Sequence, residues 1–525
     1  MAGHGARSLR RVPASRCRAV AAPNGAEVTA QPQDPTSIPL PRPWRWIPTL
    51  YFSQGLPYVA VMTLAVVMYK NLGVGNTEIA LYTSWLYLPW VVKPLWSPLV
   101  DLFGRKRRWI VAMQVAVAVS LAMVALTLPA PRFLQLTLAM FWLMAFASAT
   151  HDIAADGFYM LALPDKARQA AFVGVRSLFY RLAMLFGQGA LVWLAGSLQQ
   201  RHGSFVGAWM AVMGVLAIFF AAMAAWHAWV LPRPAADAPA RRRVAQRRDG
   251  AHEVGTAAAG DAGDVRQVLA DFIEVFVAFF RRRDIVRVLA FLLLYRFAEA
   301  QLVKLIVPFL LDPPAQGGLG LTTQQVGIAY GTFGVAALTS GGLLGGWWIS
   351  RIGLARALWP LVLAMHVPNV LYVALAMWPP TAAAAVAAAP GAALGAAAEG
   401  ANALSALALV TAALAVEQFG YGFGFTAYMV FMLRVAARSP EHGSARDNPN
   451  QTAHYALCTG FMALGMMLPG MWAGWLQQAI GYTGFFIWCC VATLPAFAAA
   501  AWVRVDDEGS REVDSGLVGG GRAGG

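Results

Sequence analysis

The stretch SPLVDLFGRKRRW, residues 97–109, decides how the rest of the chain folds. Apolar segments flank it on both sides, and it carries Asp101, Gly104 and the basic run Arg105, Lys106, Arg107 and Arg108. A hydrocarbon core of ~30 Å takes about 20 apolar residues to cross as a helix. The stretch therefore reads as a short basic loop between two membrane crossings. Gly104 supplies the tight turn, and Asp101 at a helix end can bind backbone donors or a cation on a neighbouring bundle. A second copy, GWWISRIGLARALW (346–359), keeps Gly346, Arg351 and Gly353 but has Ser350 where the acid would stand.

Working outward from this loop, apolar segments recur along the whole chain. Of 525 residues 58% are hydrophobic and 13% charged, with mean hydropathy +0.54. A soluble domain carries about a quarter charged residues. Twelve crossings are expected, near 47–69, 78–99, 109–129, 133–162, 170–196, 205–231, 285–311, 323–349, 355–378, 403–433, 451–477 and 483–503. Strands of a closed barrel would be about ten residues long and alternating, so the expected fold is an all-α polytopic membrane protein.

The net charge of +14 sits mostly in loops and tails. With a cytoplasmic N-terminus, only Lys70, Arg132 and Arg201 among the loop cations fall outside, which places both termini in the cytoplasm. Residues 1–44 read as a disordered basic tail and 506–525 as a flexible one. Residues 232–284 read as a cytoplasmic linker carrying an amphipathic helix on the inner membrane face. That linker separates an N-terminal six-helix bundle (45–231) from a C-terminal one (285–505). The alanine-rich stretch 379–402 reads as an outer loop, because Pro, Gly and Glu interrupt it.

The halves echo one another. LGVGNTEIALY (72–82), between spans 1 and 2, matches LGLTTQQVGIAY (319–330), between spans 7 and 8. Two pseudo-symmetric bundles place the expected substrate site near the midplane between them.

Charges within crossings cost roughly 3 kcal/mol each, so they are candidates for function. In FASATHDIAADGFYM (146–160), Asp152 and Asp156 are four apart and share a face of span 4, with His151 turned away. Arg176 and Arg181 of span 5 and Lys93 of span 2 are the available cations, and at most one of the two arginines should face the acids. The cluster reads either as a static ion-pair network or as a carboxylate that exchanges partner and proton. In span 7, LYRFAEAQLVKLIVPFL (294–310), Arg296 and Glu299 can pair along the helix, while Lys304 lies off that face. Glu299 and Gln54 of span 1 occupy matching midplane positions in the two halves. Span 10, VEQFGYGFGFTAYM (416–429), adds Glu417, Gln418 and Tyr421 with glycines that permit close helix approach. Gln54, Lys304, Glu417, Gln418 and Tyr421 are the substrate-contact candidates, and Asp152, Asp156 and Glu299 the proton carriers.

The 97–109 loop is similar to the loop signature of the major facilitator superfamily. Ser97 stands for its first glycine, Asp101 and Gly104 match, and Arg105 and Lys106 supply the closing cations; Leu102 departs from the usual basic residue. SQGLPY (53–58), KPLWSPLVD (93–101), HDIAADGF (151–158) and EQFGYGFGF (417–425) together resemble the muropeptide permease branch over roughly 45–505. That resemblance implies a major facilitator fold and inward, proton-driven transport of anhydromuropeptides across a bacterial inner membrane. It also implies a gating role for Asp101, Gly104, Arg105, Lys106, Arg351 and Gly353. The branch includes siderophore importers and an acetyl-coenzyme A carrier as well.

No metal-site spacing or nucleophile motif is present, so the expectation is a transporter without metal or cofactor, not an enzyme. Membrane topology accounts for the basic loops, and nucleic acid is not an expected partner. The expected partners are a small sugar-peptide, protons and the bilayer, with the chain acting as a monomer. A membrane sensor of cell-wall fragments that does not transport is the alternative of a different class.

Overall fold

The computed structural model describes residues 43–102, 104–163, 165–234, 237, 270, 273–378, 397–438, 448 and 450–503, with the side chains of 101, 102, 166 and 397–404 excepted. Both tails and the 379–396 part of the expected outer loop lie outside these residues. Among them nine helices are long and apolar enough to cross a membrane. The last, Gln451–Trp502, makes two crossings, because the chain turns back at Gly481 (φ 72°). Two further crossings are split by turns: span 2 into Asn76–Trp85 and Leu88–Leu102, and span 7 into Ile285–Leu294 and Phe297–Leu311. Together these give the twelve crossings expected from the sequence.

The other spans are Ile47–Asn71 in three segments, Lys106–Thr127, Phe133–Ala162, Lys166–His202, Phe205–Val230, Thr323–Ile352, Leu354–Ala376 and Ala397–Ala437. Span 10 starts inside the stretch expected to be loop. Residues 397–402 are helical, since alanine is the strongest helix former and the interrupting prolines lie upstream. A helical stretch at 273–280 occupies part of the expected amphipathic segment. Its Phe279 is buried against His454 and Phe461 of span 11.

Glycine sets how closely spans approach. In lipid, helices associate by close packing and hydrogen bonding because apolar burial offers no gain. Added Cβ atoms on Gly341 and Gly345 of span 8 would run into the Phe419 and Phe423 carbonyls of span 10, and one on Gly422 would overlap the Leu338 carbonyl. Span 11 passes between the halves in the same way, with Gly460 against Val91, Gly470 against Ser84 and Ala300, and Gly474 against Asn76. Wide π turns at Phe186–Leu191 in span 5 and Gly327–Gly334 in span 8 meet backbone to backbone; a Cβ on Gly189 would lie 2.6 Å from the Thr332 hydroxyl.

The two copies of the 97–109 loop turn alike. Gly104 and Gly353 have φ of 93° and 81°, a region costly for any residue with a Cβ. Span 3 then begins under Asp237, whose carboxylate accepts from the Lys106 and Arg107 amides at 2.7 and 3.2 Å. This acid from the linker side caps the helix, a link that sequence reading did not anticipate.

Replacing Gly422 by Leu is expected to destabilise the detergent-solubilised protein by about 1–3 kcal/mol, the usual range for overpacking. Gly214, with nothing within 4 Å of its would-be Cβ, is the control. Thermal unfolding followed by size-exclusion chromatography should separate Gly422→Leu from an unchanged Gly214→Leu.

Candidate functional site

In the N-terminal half the sequence-predicted acids take different partners. Asp156 lies 2.6 Å from the Arg176 guanidinium and accepts from the Tyr51 hydroxyl at 3.3 Å. Arg176 is sandwiched between the rings of Tyr51 and Tyr159, each 4.3 Å away. Asp152 is held more loosely: Trp90 Nε1 donates at 3.2 Å, Lys93 Nζ is 4.0 Å away, and Gln54 stands beside it. Arg181 joins neither acid. Five residues from Arg176, it points instead toward Gly342 of span 8. His151 is buried, 3.1 Å from Gln114, which in turn joins His227 at 3.0 Å. His227 also contacts Thr49 at 3.0 Å, so this polar chain ties spans 1, 3, 4 and 6 together.

The C-terminal half departs from the sequence expectation at Arg296. The turn at Tyr295–Arg296 makes Arg296 the residue before the second helical segment, with φ −110° and ψ 17°, which takes its side chain off the Glu299 face. It donates to the Tyr421 hydroxyl and lies 4.7 Å from the Phe425 ring centre. The fully buried Glu299 is served by span 9: Asn369 donates at 2.9 Å and His366 Nδ1 lies 3.6 Å away. Glu417 accepts from Tyr372 at 2.8 Å and from Gln418 at 2.9 Å. A 3₁₀ turn at Val367–Asn369 explains this arrangement, since residues three apart eclipse one another in such a turn. His366, Asn369 and Tyr372 thus line one face and serve both carboxylates. The sequence hint was Pro368, inside the turn.

Between the halves, Lys304 crosses from span 7 to span 2. Its Nζ donates to Thr83 at 3.0 Å and lies 5.0 Å from the centre of the Tyr87 ring. Tyr87 and Trp90 pack edge-on against Tyr58, with centroids 6.4 and 5.5 Å away. Gln54, Trp90 and Asp152 of the N-terminal half and Arg296, Tyr421 and Lys304 of the C-terminal half make two clusters of rings, amide and both charge signs, and Lys304 bridges the halves through Thr83 and Tyr87. Such clusters can hold a polar solute by ring stacking and charge-assisted hydrogen bonds. Tyr58, Tyr87 and Trp90 were not singled out in the sequence, where aromatic residues in apolar spans read as packing.

At the end where spans 1 and 2 join, the halves are sealed. Lys70 pairs with Asp312 at 2.5 Å, and the Asn76 amide reaches Asp312, Gln477 and the Tyr482 hydroxyl at 3.2, 2.9 and 2.9 Å. Thr77 donates to Gln478 at 2.8 Å and Thr323 to Asn71 at 3.1 Å. A cavity of about 690 Å³ lies along this seam, lined by Lys70, Asp312, Gln199 and Gln477 among others.

Of the expected gating residues, Asp101 ends span 2, with its side chain outside the described residues. Arg105 precedes span 3 and is exposed, and the Lys106 side chain covers Gly157, where a Cβ would lie 2.7 Å from its Cε. Arg351 is exposed, 5.3 Å above the Trp347 ring.

Comparison with known proteins follows the same lines. A model of the Major Facilitator Superfamily matches residues 49–437. The anhydromuropeptide permease of Escherichia coli (strain K12) is 25% identical over 458 residues, which cover 85% of this chain and 76% of that protein. A putative transporter, AmpG 4, of Rickettsia conorii (strain ATCC VR-613 / Malish 7) is 22% identical, covering 84% of this chain and 92% of its own. Among solved structures, the nucleoside transporter NupG superposes with a TM-score of 0.53 at 16% identity, over 88% of this chain and 98% of that one. The inward-open xylose transporter XylE from E. coli gives 0.53 at 12%, over 90% and 99%. At such identities the structural likeness speaks for the fold alone.

Removing one partner of a buried ion pair costs about 3–5 kcal/mol. Lys70→Ala or Asp312→Asn is therefore expected to shift the molecule away from closure at this end. Alkylation of a cysteine placed at Gly75 or Gly317 should speed up by about tenfold or more in either variant; an unchanged rate would show that the pair does not hold the seam.

Proposed function

Because the chain belongs to the Major Facilitator Superfamily, we propose that it imports anhydromuropeptides across the inner membrane of a bacterium by alternating access, driven by protons. The observation that supports this reading is the pair of buried polar and aromatic clusters, Gln54, Trp90 and Asp152 in one half and Arg296, Tyr421 and Lys304 in the other, joined across the halves by Lys304. With the basic loops cytoplasmic, the end held by Lys70 and Asp312 would be the periplasmic one. The substrate class is supported by the E. coli relative, named an anhydromuropeptide permease, and by rings and cations that suit a sugar bearing an acidic peptide.

The carboxylates divide by how they are held. Asp156 is locked between Arg176 and Tyr51 and serves the bundle's structure. Asp152 has its nearest cation at 4.0 Å, and among the described residues Glu299 has no Lys or Arg within ion-pair distance, so these two are the proton carriers. A proton taken from outside neutralises one of them, and the membrane potential contributes ~2.3 kcal/mol per charge per 100 mV. The halves then rock, and the proton leaves inward with the substrate.

Uptake into proteoliposomes under an imposed pH gradient tests this. Wild-type protein should concentrate an anhydromuropeptide, fail to do so with an uncoupler, and leave a ferric siderophore outside. Asp152→Asn and Glu299→Gln should lose accumulation while keeping counterflow, and Asp156→Asn should keep both. Undiminished accumulation in the first two variants would remove the proton assignment, and siderophore uptake without muropeptide uptake would remove the substrate assignment.

A further inference from the structure

We infer that Arg296 and Lys304 form a two-point receptor for carboxylates of the carried molecule, selecting acidic sugar-peptides over neutral ones; this rests on the transport reading above. Both side chains are buried, at 7% and 2% exposure. Among the described residues neither has a carboxylate within ion-pair distance, and Arg296 Nε has no hydrogen-bond partner at all. Three other cations of the interior and the seam have carboxylates, Arg176 with Asp156, Lys93 with Asp152 and Lys70 with Asp312, while Arg181, less buried than either, stands toward Gly342. The acids of the same half do not answer these two, because Glu299 faces Asn369 and His366 while Glu417 faces Tyr372 and Gln418.

What the protein offers instead is ring faces and hydroxyls. Arg296 has Phe425 and Tyr421, and Lys304 has Tyr87 and Thr83. Such contacts make a buried cation tolerable without neutralising it. An unmatched buried charge is a standing cost that a ligand of opposite sign removes on arrival. The two positions are eight residues apart on one span, roughly 12 Å along its axis at 1.5 Å per residue. Arg296 presents a fork suited to bidentate capture of one carboxylate, and Lys304 a point charge for a second. Tyr87 and Tyr58, between them and Trp90, provide flat surfaces for the sugar. The class of ligand is therefore a sugar-linked peptide with two free carboxylates separated on that scale.

The test compares uptake of an anhydromuropeptide with uptake of the same compound after amidation of its carboxylates. In the wild type, amidation should raise KM by about tenfold or more, the loss of at least one charge-assisted hydrogen bond. Arg296→Gln and Lys304→Gln should each raise KM for the free acid more than for the amidated compound, so the ratio of the two KM values falls toward one. Arg296→Lys should recover part of it. A purely structural role would weaken both compounds alike. Wild-type protein that takes up both forms with equal KM overturns the inference whether or not any variant folds, and leaves the transport reading intact. So would Gln variants that elute as monodisperse protein and keep the wild-type preference. Absence of uptake of either form removes both readings.

Discussion

A charge in hydrocarbon needs a partner, and the arrangement of these twelve crossings follows from which partner each one has. At roughly 3 kcal/mol for an ionisable side chain near the bilayer centre, the molecule cannot carry many stray ones. The pairs are of two kinds. Asp156 with Arg176 and Asp152 with Lys93 lie within one half, as does Glu299 beside His366. Lys70 with Asp312 and Lys304 with Thr83 bridge the halves, and any rocking motion has to part them. Structural support and moving contact are thus distinguishable by topology.

Backbone proximity is the second determinant. Glycines in spans 8, 10 and 11 bring carbonyls of neighbouring spans to distances that a Cβ would forbid, which stands in for the hydrophobic drive missing in lipid. The widened turns of spans 5 and 8 meet at the boundary of the halves. Irregular helix of this kind is affordable where protein, not lipid, covers the freed backbone groups. At the breaks Leu86–Tyr87 and Tyr295–Arg296, Tyr87 stands beside Lys304 and Tyr58, and Arg296 beside Tyr421 and Phe425.

Much of the fold was legible in the sequence, because the physics that sets it is one-dimensional: a run of about 20 apolar residues crosses, and basic loops mark one side. The repeat was legible for the same reason, and Gly104 and Gly353 turn alike as their matched contexts imply. The site was less legible, since its geometry depends on local departures from ideal helix. Spacing of three suggested that Arg296 would reach Glu299, but the turn at Tyr295–Arg296 reassigns both. Asn369 and Tyr372 sit in a span that reads as plain apolar filler apart from Pro368, yet they hold two carboxylates. Arg181 and Arg176 were indistinguishable by type, and only the helix rotation gives Asp156 to the latter. Asp237, in a stretch that reads as featureless linker, caps span 3.

The sealed seam has one more property. Lys70 also donates to the Asn76 side chain at 2.8 Å, and Asp312 also accepts from the Tyr482 hydroxyl at 2.6 Å. Lys70 and Asn76 belong to the N-terminal half, Asp312 and Tyr482 to the C-terminal one. Each ion thus has a second partner within its own half, the ammonium an amide and the carboxylate a phenol, and parting the pair would strand neither. A fastener built this way is firm while shut and would be cheap to release.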